Sequence, residues 1–157
     1  MNPNENLNDV NEILESINRV LSRGVKDRHS DYHTFSVATS DDNLVNNRTV
    51  VLREFNHDKK YLCYHTNFSS EKISELKKNN NIACLFYSKK DKIQIRINGK
   101  VTQVNDEIAD QYYNSRGYES RIGAWASKQS QELSNRDELI TSIKEYKRKY
   151  NDQKNVP

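Results

Sequence analysis

The chain has 157 residues, of which 34% are hydrophobic and 30% charged, and its mean hydropathy is -1.03. This length predicts one domain over residues 1–157, with disordered ends at residues 1–5 and 151–157. The 25 basic and 22 acidic residues leave a net charge of +3, an excess too small to favour a nucleic-acid partner. The low apolar content indicates a thin core and favours an obligate homodimer.

Neither a membrane span nor a leader sequence is predicted. No apolar run is long enough to cross a bilayer, and the start MNPNENLNDV lacks a basic and then apolar leader. Cys63 and Cys84 lie in the strand-like runs YLCYH and IACLF, outside any metal-ligand or CxxC spacing. We therefore expect a cytoplasmic protein with reduced core cysteines, no membrane partner and no metal site.

Hydrophobic periodicity predicts helices around a set of short strands. The predicted helices are Leu7–Gly24, Ser70–Lys78, Asp106–Asn114 and Asn135–Tyr150, the last capped by Ser134, and the predicted strands are His33–Ser40, Asn47–Phe55, Lys59–Thr66, Ile82–Ser88 and Lys92–Val104. Short turns, such as the one at Ser40–Asn43, join these strands, and one helix is inserted among them. This order favours an α+β, mainly β fold with an antiparallel barrel surrounded by helices.

The stretch Tyr112–Gln131 is unusual in composition. It reads YYNSRGYESRIGAWASKQSQ and combines two arginines, several hydroxyls and the chain's only tryptophan. Arginines and hydroxyls at this density are able to hold a phosphate through charge-assisted hydrogen bonds. A connector between helices, anchored by a buried Trp125, explains the same composition through packing.

Three other segments carry possible binding groups. The segment TNFSSEK, at Thr66–Lys72, ends a predicted strand and begins a predicted helix. The free N-H groups of the helix start and the lysine are able to bind an anion, but an ordinary helix cap with a solvated lysine explains the same sequence. Gln94 alternates with Ile93 and Ile95 and therefore faces away from the core, which a solvated strand face also explains. Arg48 and Arg53 lie on opposite faces of a regular strand unless a bulge intervenes.

Four blocks in order carry a resemblance to a known family. The chain resembles the pyridoxamine 5'-phosphate oxidase family over about Tyr32–Tyr150. The blocks that carry this resemblance are RTVVLREF, YHTNFSSEK, QIRINGKV, and SRGYESRIGAWASKQSQ with SNRDEL. That resemblance implies an FMN-binding split β-barrel that dimerises with FMN at the subunit interface. It also implies that phosphorylated vitamin B6 is oxidised by dioxygen to pyridoxal 5'-phosphate, with the flavin performing the chemistry and no catalytic side chain required.

The resemblance also assigns residues to the two ligands. The FMN-binding residues are expected to be Arg48, Thr49, Val50, Val51, Leu52, Arg53, His65, Thr66, Lys72, Gln94, Gln129 and Ser130, with Arg48 and Lys72 on the FMN phosphate. The substrate-binding residues are expected to be Arg53, Tyr112, Arg116 and Ser120.

Two departures from the family pattern bear on activity. Glu71 stands where the family commonly has arginine, which is expected to weaken FMN binding unless Glu71 turns outward. A tryptophan and an arginine-x-histidine-x-arginine run that close over the substrate in the family are not found before Pro157. The alternatives to a B6 oxidase are therefore an FMN- or pyridoxal-phosphate-binding module without efficient turnover, or a flavin reductase with another substrate.

Overall fold

A computed structural model of the chain describes residues 9–41, 44–104, 106–127, 129, 131–152 and 156. Within these residues the helices are α1 (Val10–Lys26), α2 (Glu71–Lys78), α3 (Asp106–Ser115), α4 (Tyr118–Ala126) and α5 (Arg136–Lys149). The strands are β1 (Thr34–Ser40), β2 (Val45–Val51), β3 (Glu54–Asn56), β4 (Tyr61–Cys63), β5 (Asn81–Ser88) and β6 (Ile93–Lys100), and a short 3-10 helix spans Asp31–His33. None of the helices in these ranges is long and apolar enough to cross a membrane.

The strands form two antiparallel sheets. The larger sheet has the order β2-β1-β5-β6, and β3 pairs with β4 in the smaller one. Alternation places Phe35 and Val37 of β1 on the core face, where they are 2% and 0% exposed. Phe86 of β5 is fully buried on the same face and stacks on Phe35, with ring centroids 4.6 Å apart. The predicted antiparallel arrangement is thus confirmed.

The chain divides into two compact units. Unit 1 comprises residues 1–65 and 75–101, and unit 2 comprises residues 66–74 and 102–157. Unit 1 contains both sheets, α1 and the buried apolar cluster around Leu21, Phe35 and Phe86. The single domain expected over residues 1–157 stays a prediction.

In unit 1, α1 covers part of this core because its apolar residues recur at helical spacing. Asp9 caps the helix by accepting from the Asn11 N-H at 3.2 Å, and Leu21 is completely buried. Near its end, a Cβ on Gly24 would lie 2.4 Å from the carbonyl oxygen of Tyr32. Glycine at this position therefore permits the close approach of α1 to the 3-10 helix.

In unit 2, α4 packs against α5. The Tyr118 hydroxyl donates to the Tyr150 carbonyl oxygen at 2.8 Å, and the Ser142 hydroxyl donates to the Ala126 carbonyl oxygen at 2.9 Å. Trp125 stacks on Tyr146 with ring centroids 6.4 Å apart, yet it is 46% exposed. Trp125 is therefore not the buried anchor that the packing interpretation expected, although the segment does pack against α5.

Three predicted boundaries need correction. The strand Asn47–Phe55 is broken, because Leu52 N-H donates to the His33 carbonyl oxygen while Arg53 N-H donates to that of Cys63. The stretch after Gly117 forms α4, which was not predicted because the Gly117 cap supplies no side-chain hydrogen bond. Asn135, not Ser134, caps α5, since its side chain accepts from the Glu138 N-H at 3.0 Å.

The remaining strand and helix predictions agree with the structure within a few residues, and Cys63 and Cys84 are free thiols as expected. Burial raises the pKa of the Cys84 thiol to about 11, which keeps it protonated at neutral pH. Several predictions concern residues outside the described part of the chain: the disordered start, the beginning of the first helix at Leu7, part of the turn at Ser40–Asn43 and most of the disordered end.

Candidate functional site

A polar cluster surrounds the start of α2 in unit 2. Lys72 is only 3% exposed, and its Nζ donates to Thr66 Oγ1 at 2.9 Å. Thr66 Oγ1 lies 3.1 Å from the hydroxyl of Ser70, which is 2% exposed. Water screens the charge of a buried ammonium poorly, so a lysine set among hydroxyls attracts an anion strongly.

The loop before α2 is held by a residue far away in the sequence. Gln129 Oε1 accepts from the Asn67 N-H at 2.8 Å and lies 3.5 Å from Thr66 Oγ1. Asn67 Oδ1 in turn accepts from the N-H of Ser69 at 2.9 Å and from its hydroxyl at 2.8 Å. The structure thus brings together three predicted cofactor residues, Thr66, Lys72 and Gln129.

Glu71 and Lys72 have opposite environments although they are adjacent. Glu71 is exposed, whereas Lys72 is buried. A carboxylate in water is screened far better than one in the interior, so an exposed Glu71 repels a bound anion only weakly. Glu71 therefore does turn outward, and its effect on FMN binding stays a prediction.

Arg48 belongs to a buried ion pair in unit 1. Its Nη2 lies 3.1 Å from Glu75 Oε2, and the side chains of Arg48 and Glu75 are 22% and 2% exposed. Arg48 Nη1 also donates to the Asn46 carbonyl oxygen at 3.1 Å and to the Thr39 hydroxyl. Arg48 lies on the core side of the sheet because it pairs with Val37 in the β1–β2 register.

Glu75 is the centre of this network. Its carboxylate accepts from the Thr39 hydroxyl, from Asn46 Nδ2 at 2.7 Å and from Arg48. Burial alone raises the pKa of Glu75, but these hydrogen bonds and the Arg48 charge outweigh it and hold the pKa below its usual value. Glu75 is therefore ionised at neutral pH.

The other residues of the segment Arg48–Arg53, which was predicted to contact FMN, do not lie on one face of one strand. Val50 packs against the core and Leu52 is fully buried, whereas Thr49 is exposed on the other face of β2. Arg53 is exposed beyond the break in the strand. Arg48 and Arg53 therefore do not lie on one regular strand, and whether both reach the same ligand stays a prediction.

Gln94 faces away from the core, as predicted from the alternation in β6. It is exposed, while its neighbour Ile95 is 5% exposed on the core face. His65 is half-buried in the segment after β4, and Val51 is half-buried at the end of β2. A role of these residues at a cofactor stays a prediction.

The predicted substrate residues of unit 2 surround the turn between α3 and α4. Tyr112 lies in the last turn of α3, Arg116 lies in the turn, and Ser120 is exposed in the first turn of α4. The guanidinium of Arg116 is 5.9 Å from the centre of the Tyr113 ring, a cation-π distance that restrains its position. Ser130 lies outside the described residues.

The sequence did not assign to a ligand site Asn67 and Ser70 of the cluster at the start of α2, or Thr39, Asn46 and Glu75 of the network around Arg48. Glu75 follows Lys72 by three residues, a spacing that places both on one face of α2. That spacing is the one signal available in the sequence, although it is equally typical of solvated pairs.

Comparisons with known proteins agree with this picture. A family profile described as pyridoxamine 5'-phosphate oxidase matches residues 23–150. A pyridoxine/pyridoxamine 5'-phosphate oxidase of Pelagibacter ubique is 46% identical over 138 residues, covering 87% of this chain and 65% of the relative. A relative of the same name from Brucella canis is 40% identical over 131 residues, which cover 83% of this chain and 64% of the relative. The chain thus spans just under two thirds of the length of these relatives.

Two solved structures share the fold. PhzG from Burkholderia lata 383, in complex with tetrahydrophenazine-1-carboxylic acid, gives a TM-score of 0.73 at 21% identity, covering 85% of this chain and 66% of that one. A pyridoxamine 5'-phosphate oxidase-related, FMN binding protein from Nostoc punctiforme gives 0.58 at 18% identity, covering 80% and 69%. The antiparallel split-barrel fold is therefore confirmed. With its profile match over residues 23–150 and these relatives, the chain belongs to the pyridoxamine 5'-phosphate oxidase family.

Proposed function

We propose that this protein is an FMN-dependent oxidoreductase that converts pyridoxamine or pyridoxine 5'-phosphate to pyridoxal 5'-phosphate with dioxygen as acceptor. The observation that carries the proposal is the buried Lys72, which lies among the hydroxyls of Thr66 and Ser70 at the start of α2. A lysine charge that water screens so little attracts an anion strongly, and the phosphate of FMN is such an anion.

The residues at the start of α2 fit a phosphate group. Lys72 provides a full charge, Thr66 and Ser70 provide hydroxyl donors, and the helix start provides the positive end of its dipole. Gln129 keeps the preceding loop in place through the Asn67 N-H. Arg48 is the second cation that the family resemblance assigns to this phosphate.

Bound FMN would supply the redox chemistry by accepting a hydride from the 4' carbon and passing two electrons to dioxygen, which would take up two protons and leave as hydrogen peroxide. Pyridoxine 5'-phosphate would lose its hydroxyl proton to give the aldehyde directly, whereas the imine from pyridoxamine 5'-phosphate would add water and release ammonia. The chain's own residues bind and orient the two phosphorylated molecules. Tyr112, Arg116 and Ser120 are proposed to hold the substrate phosphate, because an arginine restrained at a helix junction and two hydroxyls match its oxygens.

A homodimer with FMN at the subunit interface is also part of the proposal. Support comes from the outer face of the larger sheet in unit 1, where Leu85 and Tyr87 are neighbours on β5 and are 38% and 57% exposed. Apolar side chains grouped on one sheet face mark a protein interface more often than a solvated surface. Sedimentation analysis of the wild type and Tyr87→Glu tests this, because the charge should shift the equilibrium toward monomer.

Purified protein should be yellow and show a flavin absorbance spectrum after addition of FMN. Incubation with pyridoxamine 5'-phosphate in air should then yield pyridoxal 5'-phosphate, and anaerobic substrate should bleach the flavin. Arg116→Ala should raise the substrate KM without loss of bound FMN, whereas Lys144→Ala, on the exposed side of α5, should change neither.

Two results would refute parts of this proposal. Protein that takes up no FMN would exclude flavin chemistry altogether. Protein that binds FMN but neither bleaches nor forms product with B6 phosphates would identify a binding module or a reductase with another substrate.

A further inference from the structure

Glu75 has no role in the function proposed above, yet it is the most buried carboxylate of the described network. It is 2% exposed and joins three elements, because it lies in α2 and accepts from Thr39 of β1 and from Asn46 and Arg48 of β2. We propose that Glu75 is a positioning residue that holds the Arg48 guanidinium in the orientation that binds the FMN phosphate. This inference rests on the proposed function.

The hydrogen bonds that Arg48 makes to the described residues leave one edge of its guanidinium available. A guanidinium has five N-H groups. Nη1 donates to Thr39 and to the Asn46 carbonyl oxygen, and Nη2 lies 3.1 and 3.4 Å from the two oxygens of Glu75. A single N-H shared between those oxygens accounts for both Nη2 contacts. The second Nη2 N-H and the Nε N-H then form an edge that matches two phosphate oxygens.

The network also fixes Arg48 before any ligand arrives. An unrestrained arginine loses side-chain freedom when it binds, whereas one that is already held loses less. Within unit 1, Glu75 is 2% exposed and therefore holds Arg48 in a fixed position that water does not loosen.

A positioning role and a purely electrostatic one predict opposite effects. A carboxylate repels a phosphate, so if Glu75 acted through its charge alone, its neutralisation would tighten FMN binding. If Glu75 positions Arg48, neutralisation loosens the guanidinium and weakens binding. The direction of the change in FMN affinity thus separates the two.

The test is an FMN titration, followed by quenching of flavin fluorescence, with the wild type measured first. Glu75→Gln should weaken FMN binding about tenfold, while Glu145→Gln, an exposed carboxylate of α5, should leave it unchanged. In an Arg48→Met background, Glu75→Gln should change the affinity by less than about twofold, because residues that act through one another are not additive. Thr39→Val, which removes a link of the network without changing charge, should weaken binding about threefold.

Failure of the wild type to bind FMN would refute the proposed function itself. FMN binding by the wild type together with equal or tighter binding by Glu75→Gln would overturn only the positioning role. An equal loss in the Arg48→Met background would overturn it as well, because Glu75 would then act independently of Arg48. If Glu75→Gln does not fold, as thermal unfolding would reveal, Thr39→Val decides: unchanged FMN affinity in that variant overturns the inference.

Discussion

Replacement of Lys72 by methionine tests the candidate phosphate site most directly. Methionine keeps the length and apolar stem of lysine and removes only the charge and the hydrogen bonds of Nζ. Hydrogen bonds to charged groups contribute about 1.5–3 kcal/mol, and Lys72 is only 3% exposed, so little of this is screened by water. We therefore expect Lys72→Met to weaken FMN binding by about 10- to 150-fold.

The same substitution should affect the stability of the protein without FMN much less. Without FMN, the favourable contacts of the Lys72 ammonium are offset by the cost of burying its charge, which methionine removes, and Thr66 Oγ1 keeps its contact with the Ser70 hydroxyl at 3.1 Å. Lys78→Met is the matched control, because Lys78 is in the last turn of α2 with its side chain 60% exposed and only a 3.9 Å pair with Asp41. FMN titration and thermal unfolding of all three proteins measure both quantities. Equal FMN affinities of Lys72→Met and the wild type would refute the phosphate site.

Local geometry and charge give three further predictions. Glu71→Gln should tighten FMN binding by about two- to fivefold at low salt and by less at high salt, because it removes a carboxylate from the first turn of α2. A gain in affinity that is the same at low and high salt would contradict this prediction. Lys92→Gly should stabilise the protein by up to about 1 kcal/mol in denaturant unfolding, because Lys92 has a φ of 56°, whereas Lys90→Gly, in the same turn, should destabilise it. Burial, with a hydrogen bond to Asp91, raises the pKa of Tyr32 from 10.0 to about 12. Protonated Tyr32 should therefore contribute on the order of 2 kcal/mol to the free energy of unfolding below pH 10, and this contribution should be lost as the pH rises to 12. In Tyr32→Phe, the free energy of unfolding should fall less steeply over this alkaline range.

The sheet could be predicted because its signal is local and repeats every two residues. Phe35 and Val37, like Ile93 and Ile95, alternate with polar residues. Each strand and its buried face could therefore be predicted without knowing which strands pair with it. The same rule failed at Leu52 and Arg53. Their N-H groups donate to different parts of the chain, to the carbonyl oxygens of His33 and of Cys63, and the order of side chains does not reveal such hydrogen-bond partners.

Helix α4 was missed because its residues carry weak local signals. It begins after Gly117 without a side-chain cap, contains Gly123, and buries Ile122 completely. Its stability comes from packing against α5, through Tyr118 and Ser142, which periodicity within α4 does not encode. The prediction that this segment binds a phosphate came from its unusual composition and from the family resemblance instead.

The buried charges of α2 were the hardest feature to predict, and they carry the candidate site. Hydrophobic patterning assigns polar residues to the solvent, so Lys72 and Glu75 would be placed on an exposed face. The structure buries both, because Thr66 in one case and Thr39, Asn46 and Arg48 in the other supply hydrogen bonds that water would otherwise provide. Those partners come from other segments of the chain, and the cost of burying a charge is met only once they are in place. Positions where a charge is buried against the hydrophobic pattern are therefore good candidates for functional residues. Selection would remove a buried charge that contributed to neither folding nor binding.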